Sequence, residues 1–411
     1  MPIPPTDFAT VESPAQLTFA EALASVRELQ PKILAQAAET EARTYYSEEL
    51  HLDFMRAGLY NMLRPATFGG YEFDVADYLK IVREIARSDM STAWCFCLAS
   101  AHVLWMASWW PAEAQREFFS TPHTAAGGTS APGGTMRKAD GGWIINGVFP
   151  YASGGPYSTH FLGHVFPIAE DGTQGPLSVF IAPRSLWAVR DDWGRTLGLK
   201  GSGSHTVEIV EGFVPDSHVL LGKTSIDMDV DGGTPGWALH KNAMYNGRGL
   251  STFTLELASL GVGGVLGALD SYREVITSKR TALPPFTLRS ENPTYQLWFA
   301  DSVTRLRAAE ACLDTAARDF MECATRSAKG DGSFSATDDA GIGRLAFAAQ
   351  TDAWHVLEHI LMRTSGSSTL VNGSRMERIW RDFSMLHSHQ NSIVQDITAP
   401  LYTAGLLAEP S

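Results

Sequence analysis

The sequence Gly142-Trp143-Ile144-Ile145-Asn146-Gly147 lies in the middle of a chain of 411 residues and predicts a β-strand that runs into an Asn-Gly turn. Further short β segments are predicted at Thr159–Phe166, Leu177–Ile181 and Thr206–Val210. Gly, Pro, Thr and Val dominate this region, from about residue 121 to residue 221. We therefore expect a β domain in the centre of the chain.

Helical patterns flank this β region on both sides. Before it, apolar residues recur at helical spacing in Phe19–Glu41, Asp53–Leu63 and Val75–Ala86, and Asp89 precedes the apolar run Ala93–Trp110. After a Gly-rich linker, long amphipathic stretches follow at Leu255–Ser278, Tyr295–Ser327 and Asp339–Arg363. The order α, then β, then α argues against alternating βαβ units and a doubly wound nucleotide-binding fold.

This order predicts an α+β protein with three domains. We expect an N-terminal α-helical domain over residues 1–120, a central β-barrel or β-sandwich domain over 121–232, and a C-terminal four-helix bundle over 233–411. In a bundle, sites are built between facing helices.

The composition is globular and acidic. Hydrophobic residues make up 44% and charged residues 19%, which excludes a disordered or collagen-like chain. Lys and Arg number 32 against 45 Asp and Glu, a net charge of −13, and without a basic run this disfavours nucleic acid as a partner. Met1–Thr10 lacks the basic start and apolar core of a signal peptide, and no apolar run reaches about 18 residues. We therefore expect a cytoplasmic protein that does not enter a membrane.

The cysteines and histidines do not predict a metal site. The spacing of Cys95, Cys97, Cys312 and Cys323 fits no zinc motif, so reduced and mostly buried thiols are expected. His387 and His389 form a His-x-His pair with no neighbouring carboxylate cluster.

Common cofactor motifs are also absent. Gly261–Gly267 is Gly-rich, but it misses the G-x-G-x-x-G spacing and follows no strand, so close helix packing explains it better. Gly128–Thr135 and Tyr151–Gly155 are rich in small and hydroxyl residues that let a ligand approach the backbone, although each alone is also typical of a turn. His389 is a candidate for proton transfer near neutral pH, and His102 alone predicts a buried core histidine.

Six segments in a particular order carry a resemblance to a known family. They are Leu63-Arg64-Pro65 with Phe68-Gly69-Gly70, Thr129–Gly133, Asn146-Gly147 followed by Ser153-Gly154, Leu197–Ser204, Phe213-Val214-Pro215, and Arg381-Asp382 followed seven residues later by His389. With them the chain resembles the acyl-CoA dehydrogenase fold from about Leu29 to Leu407. More closely, it is similar to the oxygenase components of two-component flavin-dependent monooxygenases, such as 4-hydroxyphenylacetate and steroid-phenol hydroxylases and dibenzothiophene monooxygenase.

Two departures from the dehydrogenases bear on the cofactor. The dehydrogenases place a catalytic carboxylate near the position of His389 and Gln390. Their Arg-x-x-Phe-Gly segment, which contacts the FAD adenylate, is replaced here by Lys279–Phe286. The resemblance therefore implies reduced FMN rather than FAD, supplied by a separate NAD(P)H-dependent flavin reductase.

The resemblance also implies a reaction and roles for named residues. Reduced FMN would react with O₂ to give a C4a-hydroperoxyflavin that hydroxylates a small phenolic or fused-ring aromatic substrate. Ser153 would hydrogen-bond flavin N5, Thr129 and Ser130 would contact the isoalloxazine edge, and Tyr151 would lie against the ring. His389 would orient the substrate or peroxide or act as general base, with His102 as a second candidate on the substrate side. Arg248 and Arg280 are candidates for the FMN phosphate. The family implies a homotetramer.

Three alternatives remain open from the sequence. The same flavin chemistry supports oxygenation of nitrogen or sulfur, and no residue separates these acceptors from aromatic carbon. An acyl-CoA dehydrogenase-like enzyme with tightly bound FAD is the second alternative, and the missing carboxylate argues against it. A helical scaffold without activity is the third, and the presence of both Ser153 and His389 argues against that.

Overall fold

The computed structural model describes residues 11–408, so the prediction about a signal peptide in Met1–Thr10 lies outside the described residues. The N-terminal region is helical, as predicted. Its helices are α1 (Phe19–Arg43), α2 (Glu48–Arg56), α3 (Val75–Ser88), α4 (Met90–Trp109) and α5 (Ala112–Phe118).

Side-chain caps fix where these helices begin. Thr18 and Glu21 form a capping box at the start of α1, and the Asp89 carboxylate accepts a hydrogen bond from the Thr92 N–H at the start of α4. The predicted helix Asp53–Leu63 was misplaced: α2 starts at Glu48, behind the cap of Ser47, and ends before Gly58, whose φ is 74°.

Helix α4 forms the centre of the molecule, because all of its residues are buried. By length and composition, α4 and the later helix α7 (Gly249–Ser278) could each cross a membrane. Their apolar windows are 100% and 94% buried inside the protein, however, which is typical of core helices.

The centre of the chain forms one seven-stranded sheet. Its strands are β1 (Ala126–Ala139), β2 (Gly142–Phe149), β3 (His160–Ile168), β4 (Ser178–Pro183), β5 (Trp187–Val189), β6 (Val207–Pro215) and β7 (Val219–Leu220). The spatial order is β5-β6-β2-β1-β3-β4-β7, with β1 and β3 parallel and the other neighbours antiparallel.

The predicted turn at Asn146-Gly147 was wrong. Strand β2 runs through Asn146-Gly147, and the turn before it is at Gly141, whose φ is 70°. The Asn146 side chain accepts a hydrogen bond from the Glu211 N–H at 2.8 Å, so it secures an irregular part of the β2–β6 pairing. Gly128–Thr135, whose composition alone is also typical of a turn, belongs to β1.

The C-terminal region is a bundle of long helices, as predicted. It contains α6 (Pro235–His240), α7, α8 (Pro293–Lys329), α9 (Ala336–His355), a π-helical segment (Val356–Met362), α10 (Arg363–Ser365), α11 (Arg375–His387) and α12 (Gln390–Ala408). The order of a helical region, a sheet and a helical bundle agrees with the predicted fold class. The domain boundaries at 120/121 and 232/233 stay predictions.

The Gly-rich segment of α7 serves close packing, as the sequence predicted. A Cβ atom on Gly263 would lie 2.5 Å from the Arg83 carbonyl oxygen, and one on Gly267 would lie 2.2 Å from that of Arg87. Both carbonyls belong to α3, so α7 and α3 are in backbone contact. This contact joins the C-terminal bundle to the N-terminal helices.

Candidate active site

A cavity of about 310 Å³ lies where α4, the sheet, α7 and the α11–α12 junction meet. Its polar lining comes from β1, from the segment after β2 and from the loop before β6. Its apolar lining comes mainly from the helices. The lining residues are Trp94, Leu98, His102, Gly128, Thr129, Ser130, Ala131, Tyr151, Ser153, Leu162, Trp193, Leu199, Ser202, Ser204, Phe253, Met385, Ser388, His389 and Gln390.

Six of the eight predicted site residues line this cavity. They are His102, Thr129, Ser130, Tyr151, Ser153 and His389, which come from four separate parts of the chain. The other two, Arg248 and Arg280, are not among its lining residues.

An irregularity in β1 exposes Thr129 and Ser130 to the cavity. The pairing of β1 with β3 shifts between Gly128 and Pro132 and again before Gly134, so the residues between leave the regular ladder. The Thr129 carbonyl is held by the Nδ1–H of His164 at 3.0 Å. Burial lowers the pKa of His164 to about 4, so this histidine is neutral near pH 7. The hydrogen bond from neutral His164 therefore holds the irregular part of β1 in place.

Ser153 lies in a buried hydrogen-bond network at the cavity wall. The Trp94 indole donates its Nε1–H to Ser153 Oγ at 3.0 Å. Ser153 Oγ is 2.8 Å from Ser204 Oγ, which is 2.7 Å from Ser202 Oγ. All four residues line the cavity, so the network joins α4, the segment after β2 and the Gly-rich loop at one point.

His102 presents a hydrogen-bond acceptor. One ring nitrogen, Nδ1, is 2.7 Å from the Ala126 carbonyl oxygen, and because a carbonyl can only accept, Nδ1 carries the hydrogen. Burial lowers the pKa of His102 to about 4, against the opposing effect of that hydrogen bond. The ring is therefore neutral near pH 7, and Nε2 keeps its lone pair. A Cβ on Gly128 would lie 2.8 Å from the His102 ring, so glycine is needed there.

His389, in contrast to His102, presents a hydrogen-bond donor. Its Nδ1 accepts a hydrogen bond from the Asn391 N–H at 3.2 Å, in the first turn of α12. Burial lowers the pKa of His389 to about 4. In the neutral ring the hydrogen is therefore on Nε2, which is a donor. Trp94 and Phe253 contact the ring, with centroids 5.6 and 5.7 Å away, and hold its orientation.

The Gly-rich loop Leu197–Ser204 is anchored by Arg381 and Asp382, which lie on α11 shortly before His389. Asp382 accepts hydrogen bonds from the Leu199 N–H at 2.6 Å and from Ser91 Oγ at 3.0 Å. Arg381 binds Glu41 on α1 at 2.6 Å. Burial and the nearby Asp89 raise the pKa of Asp382 to about 7. Arg381 and Asp382 thus tie α11, α1 and α4 to the loop that supplies three lining residues.

Two lining residues have strained backbones. Tyr151 has a φ of 59° and Leu199 a φ of 50°, in the left-handed region that glycine favours. Such strain costs about 1–3 kcal/mol and is kept where the surrounding structure requires it. Tyr151 is 60% exposed, and its ring packs edge-on against Trp193 with centroids 5.4 Å apart. The two aromatic residues form one side of the cavity.

The cavity suits the ring system of a flavin better than its phosphate. Its walls combine aromatic and aliphatic side chains with hydroxyl and backbone groups on one edge, as a planar heteroaromatic ligand requires. None of the described residues that line it is Lys, Arg, Asp or Glu. The residues present therefore fit the isoalloxazine ring, and the cations for a phosphate must come from elsewhere.

The two predicted phosphate ligands have other partners within the chain. The buried Arg248 lies 3.4 Å from the Asp339 carboxylate and donates to the Phe334 carbonyl at 3.3 Å. Arg280 is exposed on the segment after α7, where it donates to the Phe286 carbonyl at 2.8 Å. Neither guanidinium is directed to the cavity by these contacts, and their role with FMN stays a prediction.

Sequence reasoning missed several lining residues. The sequence did not predict roles for Trp94, Trp193, Ser202, Ser204 and Phe253, although both serines lie in the segment Leu197–Ser204 that carries part of the resemblance. A buried Trp in an apolar helix is indistinguishable from core by pattern alone. Only the fold brings the Trp94 indole to a serine 59 positions away.

Comparison with family models identifies the class of protein. Residues 18–127 match the model "Acyl-CoA dehydrogenase, N-terminal domain", and residues 255–392 match "Acyl-CoA dehydrogenase, C-terminal domain". Together these matches cover more than half of the chain, which therefore belongs to the acyl-CoA dehydrogenase family.

Sequence relatives show which members of this family the chain resembles. The chain is 28% identical to a pigment production hydroxylase of Rhodococcus sp., covering 91% of this chain and 93% of that protein. It is 26% identical to the flavin-dependent monooxygenase oxygenase subunit HsaA of Rhodococcus jostii, covering 86% and 90%. It is 28% identical to the oxygenase component of an FADH₂-dependent resorcinol hydroxylase of Rhizobium sp., covering 82% and 83%. These relatives confirm the predicted resemblance to flavin-dependent monooxygenase oxygenase components.

Solved structures confirm the fold. The HsaA monooxygenase from M. tuberculosis superposes with a TM-score of 0.83 at 22% identity, covering 96% of this chain and 98% of that one. The TdsC protein from Paenibacillus sp. A11-2, solved with FMN and indole, superposes with a TM-score of 0.74 at 18% identity, covering 92% and 95%.

Proposed function

We propose that the protein is the oxygenase component of a two-component monooxygenase that uses reduced FMN and O₂ to hydroxylate a small phenolic or fused-ring aromatic compound. One observation carries the proposal: a single apolar cavity contains the Ser153 hydroxyl, a histidine acceptor and a histidine donor. The relatives that are flavin-dependent hydroxylases support it.

Bound reduced flavin supplies the activation of O₂, which amino-acid side chains do not provide. The protein must keep water from the reacting atoms, since entry of water favours loss of the oxidising equivalent as H₂O₂. Leu98, Leu162 and Phe253 supply apolar wall for this task, and the Tyr151–Trp193 pair covers one side.

His102 is the better base in this arrangement. The lone pair on His102 Nε2 can accept the hydrogen of a phenolic hydroxyl, and removal of that proton makes the ring a stronger nucleophile. His389 Nε2–H can donate to the oxygen that is transferred or released. Of the two roles that the resemblance implies for His389, orienting the substrate or peroxide and acting as general base, the hydrogen bond from the Asn391 N–H favours the first, because it leaves Nε2–H as a donor.

The supporting partners are part of the same proposal. A separate NAD(P)H-dependent reductase supplies reduced FMN in the cytoplasm, and the enzyme assembles as a homotetramer. Because the described lining residues include no Lys or Arg, the FMN phosphate would be bound beyond the cavity. Reduced FAD is the alternative flavin, in view of the FADH₂-dependent resorcinol hydroxylase among the relatives.

Two competing reactions differ in what they need from the cavity. Abstraction of a proton alpha to a thioester needs a carboxylate, and none of the described lining residues has one. Oxygenation of sulfur or nitrogen needs no base on the substrate, so it would leave the His102 acceptor without a task.

Single-turnover mixing of reduced FMN with O₂ tests the function. With a suitable phenol we expect hydroxylated product, and less H₂O₂ per flavin oxidised than without the phenol. The His389→Ala variant should lower product yield and raise H₂O₂ while binding FMN nearly as tightly. Complete release of H₂O₂ with every phenol, amine and thioether offered would reject a monooxygenase.

A further inference from the structure

The hydroxyl groups of Ser202, Ser204 and Ser153 form a chain, here called the serine ladder, that ends at the cavity beside Trp94. The three oxygens are linked by contacts of 2.7 and 2.8 Å. All three residues are buried, with exposures of 0%, 3% and 8%. In each link either hydroxyl can be the donor, so the geometry is compatible with both directions of the ladder.

Trp94 limits what Ser153 can offer to a ligand. An indole N–H only donates, so it occupies one of the two lone pairs on Ser153 Oγ permanently. If Ser204 donates to Ser153, the second lone pair is also occupied and the Ser153 hydrogen turns to the cavity. If Ser153 donates to Ser204, its hydrogen is used and one lone pair remains for the ligand. The ladder therefore makes Ser153 either a donor or an acceptor.

Flavin N5 needs both forms. In the oxidised ring N5 is a hydrogen-bond acceptor, whereas in the reduced ring it carries a hydrogen and is a donor. We propose that the Ser202–Ser204–Ser153 ladder reverses its direction with the redox state of the bound flavin, and that Ser204 and Trp94 are positioning residues for Ser153. This inference rests on the proposed contact of Ser153 with N5, but it does not require that oxygen be transferred to a substrate.

The two positioning residues should differ in their effects. Without the Ser204 hydroxyl, the Ser153 hydrogen has lost its partner on the ladder and must either face the cavity or remain unpaired. An unpaired buried polar group costs about 1–3 kcal/mol, so the acceptor form for reduced flavin becomes unfavourable. Without the Trp94 N–H, both directions of the ladder stay possible, and Ser153 only loses an anchor.

Affinities for oxidised and reduced FMN, titrated anaerobically for the reduced form, test this inference. In Ser204→Ala we expect affinity for reduced FMN to fall about tenfold, while affinity for oxidised FMN changes less than twofold. In Trp94→Phe both affinities should fall by the same factor. Ser108→Ala on α4 and Trp110→Phe directly after α4 are matched controls, because their side chains donate hydrogen bonds to the Leu104 and His218 carbonyls and neither residue lines the cavity.

A double variant separates the ladder from a general loss of packing. If Ser204 acts through Ser153, the double variant Ser153→Ala/Ser204→Ala should bind reduced FMN no more weakly than Ser153→Ala alone. Equal losses in both redox states for Ser204→Ala, or a Ser204 effect that persists in the Ser153→Ala background, would overturn the ladder. Normal flavin binding without any oxygenated product would instead reject the proposed function, and absence of flavin binding would reject both.

Discussion

Two neutral histidines with opposite hydrogen-bonding polarity set the chemistry of the cavity at the residue scale. The sequence predicted both as candidates but could not predict their tautomers. Those tautomers depend on the Ala126 carbonyl and the Asn391 N–H, which are backbone groups that only the fold places beside the rings. The same holds for the Trp94–Ser153 contact, which joins a core helix to a loop.

Loss of the His102 acceptor should affect the chemical step. In His102→Ala we expect hydroxylation to slow about 100-fold or more, since a positioned base contributes roughly that factor, while FMN binding changes less than twofold. Because the pKa of His102 is lowered to about 4, the wild-type single-turnover rate should show no step near pH 6.5. Stopped-flow rates of both proteins, measured from about pH 5.5 to about pH 8, check both points. An unchanged rate in the variant would argue for a substrate without a phenolic proton.

At the scale of elements, the Gly-rich loop depends on α11. Its Leu199 is held in a strained conformation by the Asp382 carboxylate, although the sequence indicated only that Arg381-Asp382 precedes His389 at a fixed spacing. Three-dimensional contact explains that spacing: the pair anchors the loop while the following residues reach the cavity.

Asp382 should make stability depend on pH. Its pKa is about 7 in the folded protein and near 3.8 when unfolded, so between these values the folded state holds the extra proton. The stability of the wild type therefore falls as pH rises from about 4 to about 7, and this loss levels off above pH 7. In Asp382→Asn, which mimics the protonated form, this loss is absent. From about pH 6 to about pH 8.5 we expect the variant to gain roughly 1 kcal/mol relative to wild type.

Urea unfolding of both proteins at the two pH values measures this difference. If the gap between Asp382→Asn and wild type stays constant, Asp382 does not change its protonation state between these two pH values, which would contradict the prediction. A gap that shrinks with pH would also contradict the assignment.

The α7–α3 contact makes a second prediction at this scale. Ala normally favours a helix over Gly by about 1 kcal/mol, but a Cβ on Gly267 would lie 2.2 Å from the Arg87 carbonyl oxygen. We expect Gly267→Ala to lower the free energy of unfolding by about 1–3 kcal/mol. Gly343→Ala on α9 is the matched control, because its nearest contact would be 3.4 Å away. It should be neutral or stabilising in thermal unfolding, and a stable Gly267→Ala would contradict close packing.

At the scale of the whole molecule, the order of helical, β and helical regions was predictable because periodicity changes sharply along the chain. The extent of β1 and the course of β2 were not, since Gly, Pro and Asn-Gly look like turns when a bulge or a ligand edge requires them. The described lining of the cavity carries no cation, so in a chain of net charge −13 the phosphate of bound FMN would have to find its positive partners outside the cavity.

Helix α12 carries an apolar stripe that the single chain leaves open. Ile393, Ile397 and Leu401, spaced four residues apart, are 62%, 70% and 44% exposed. We expect this stripe to be covered by another copy in the proposed homotetramer. Ile397→Glu should therefore give a smaller species in analytical ultracentrifugation, and an unchanged tetramer would place the interface elsewhere. Val371→Glu, at another exposed apolar position, is the control.

The most direct test of the central claim is a single turnover with isotopically labelled O₂. The protein is loaded with reduced FMN anaerobically and mixed with labelled O₂ and a phenol. The mass of the product is then measured by mass spectrometry. The proposed function predicts a hydroxylated product that carries one labelled oxygen atom, and much less of it from His102→Ala. Product without label, or oxidised FMN and H₂O₂ alone with every phenol, would contradict it.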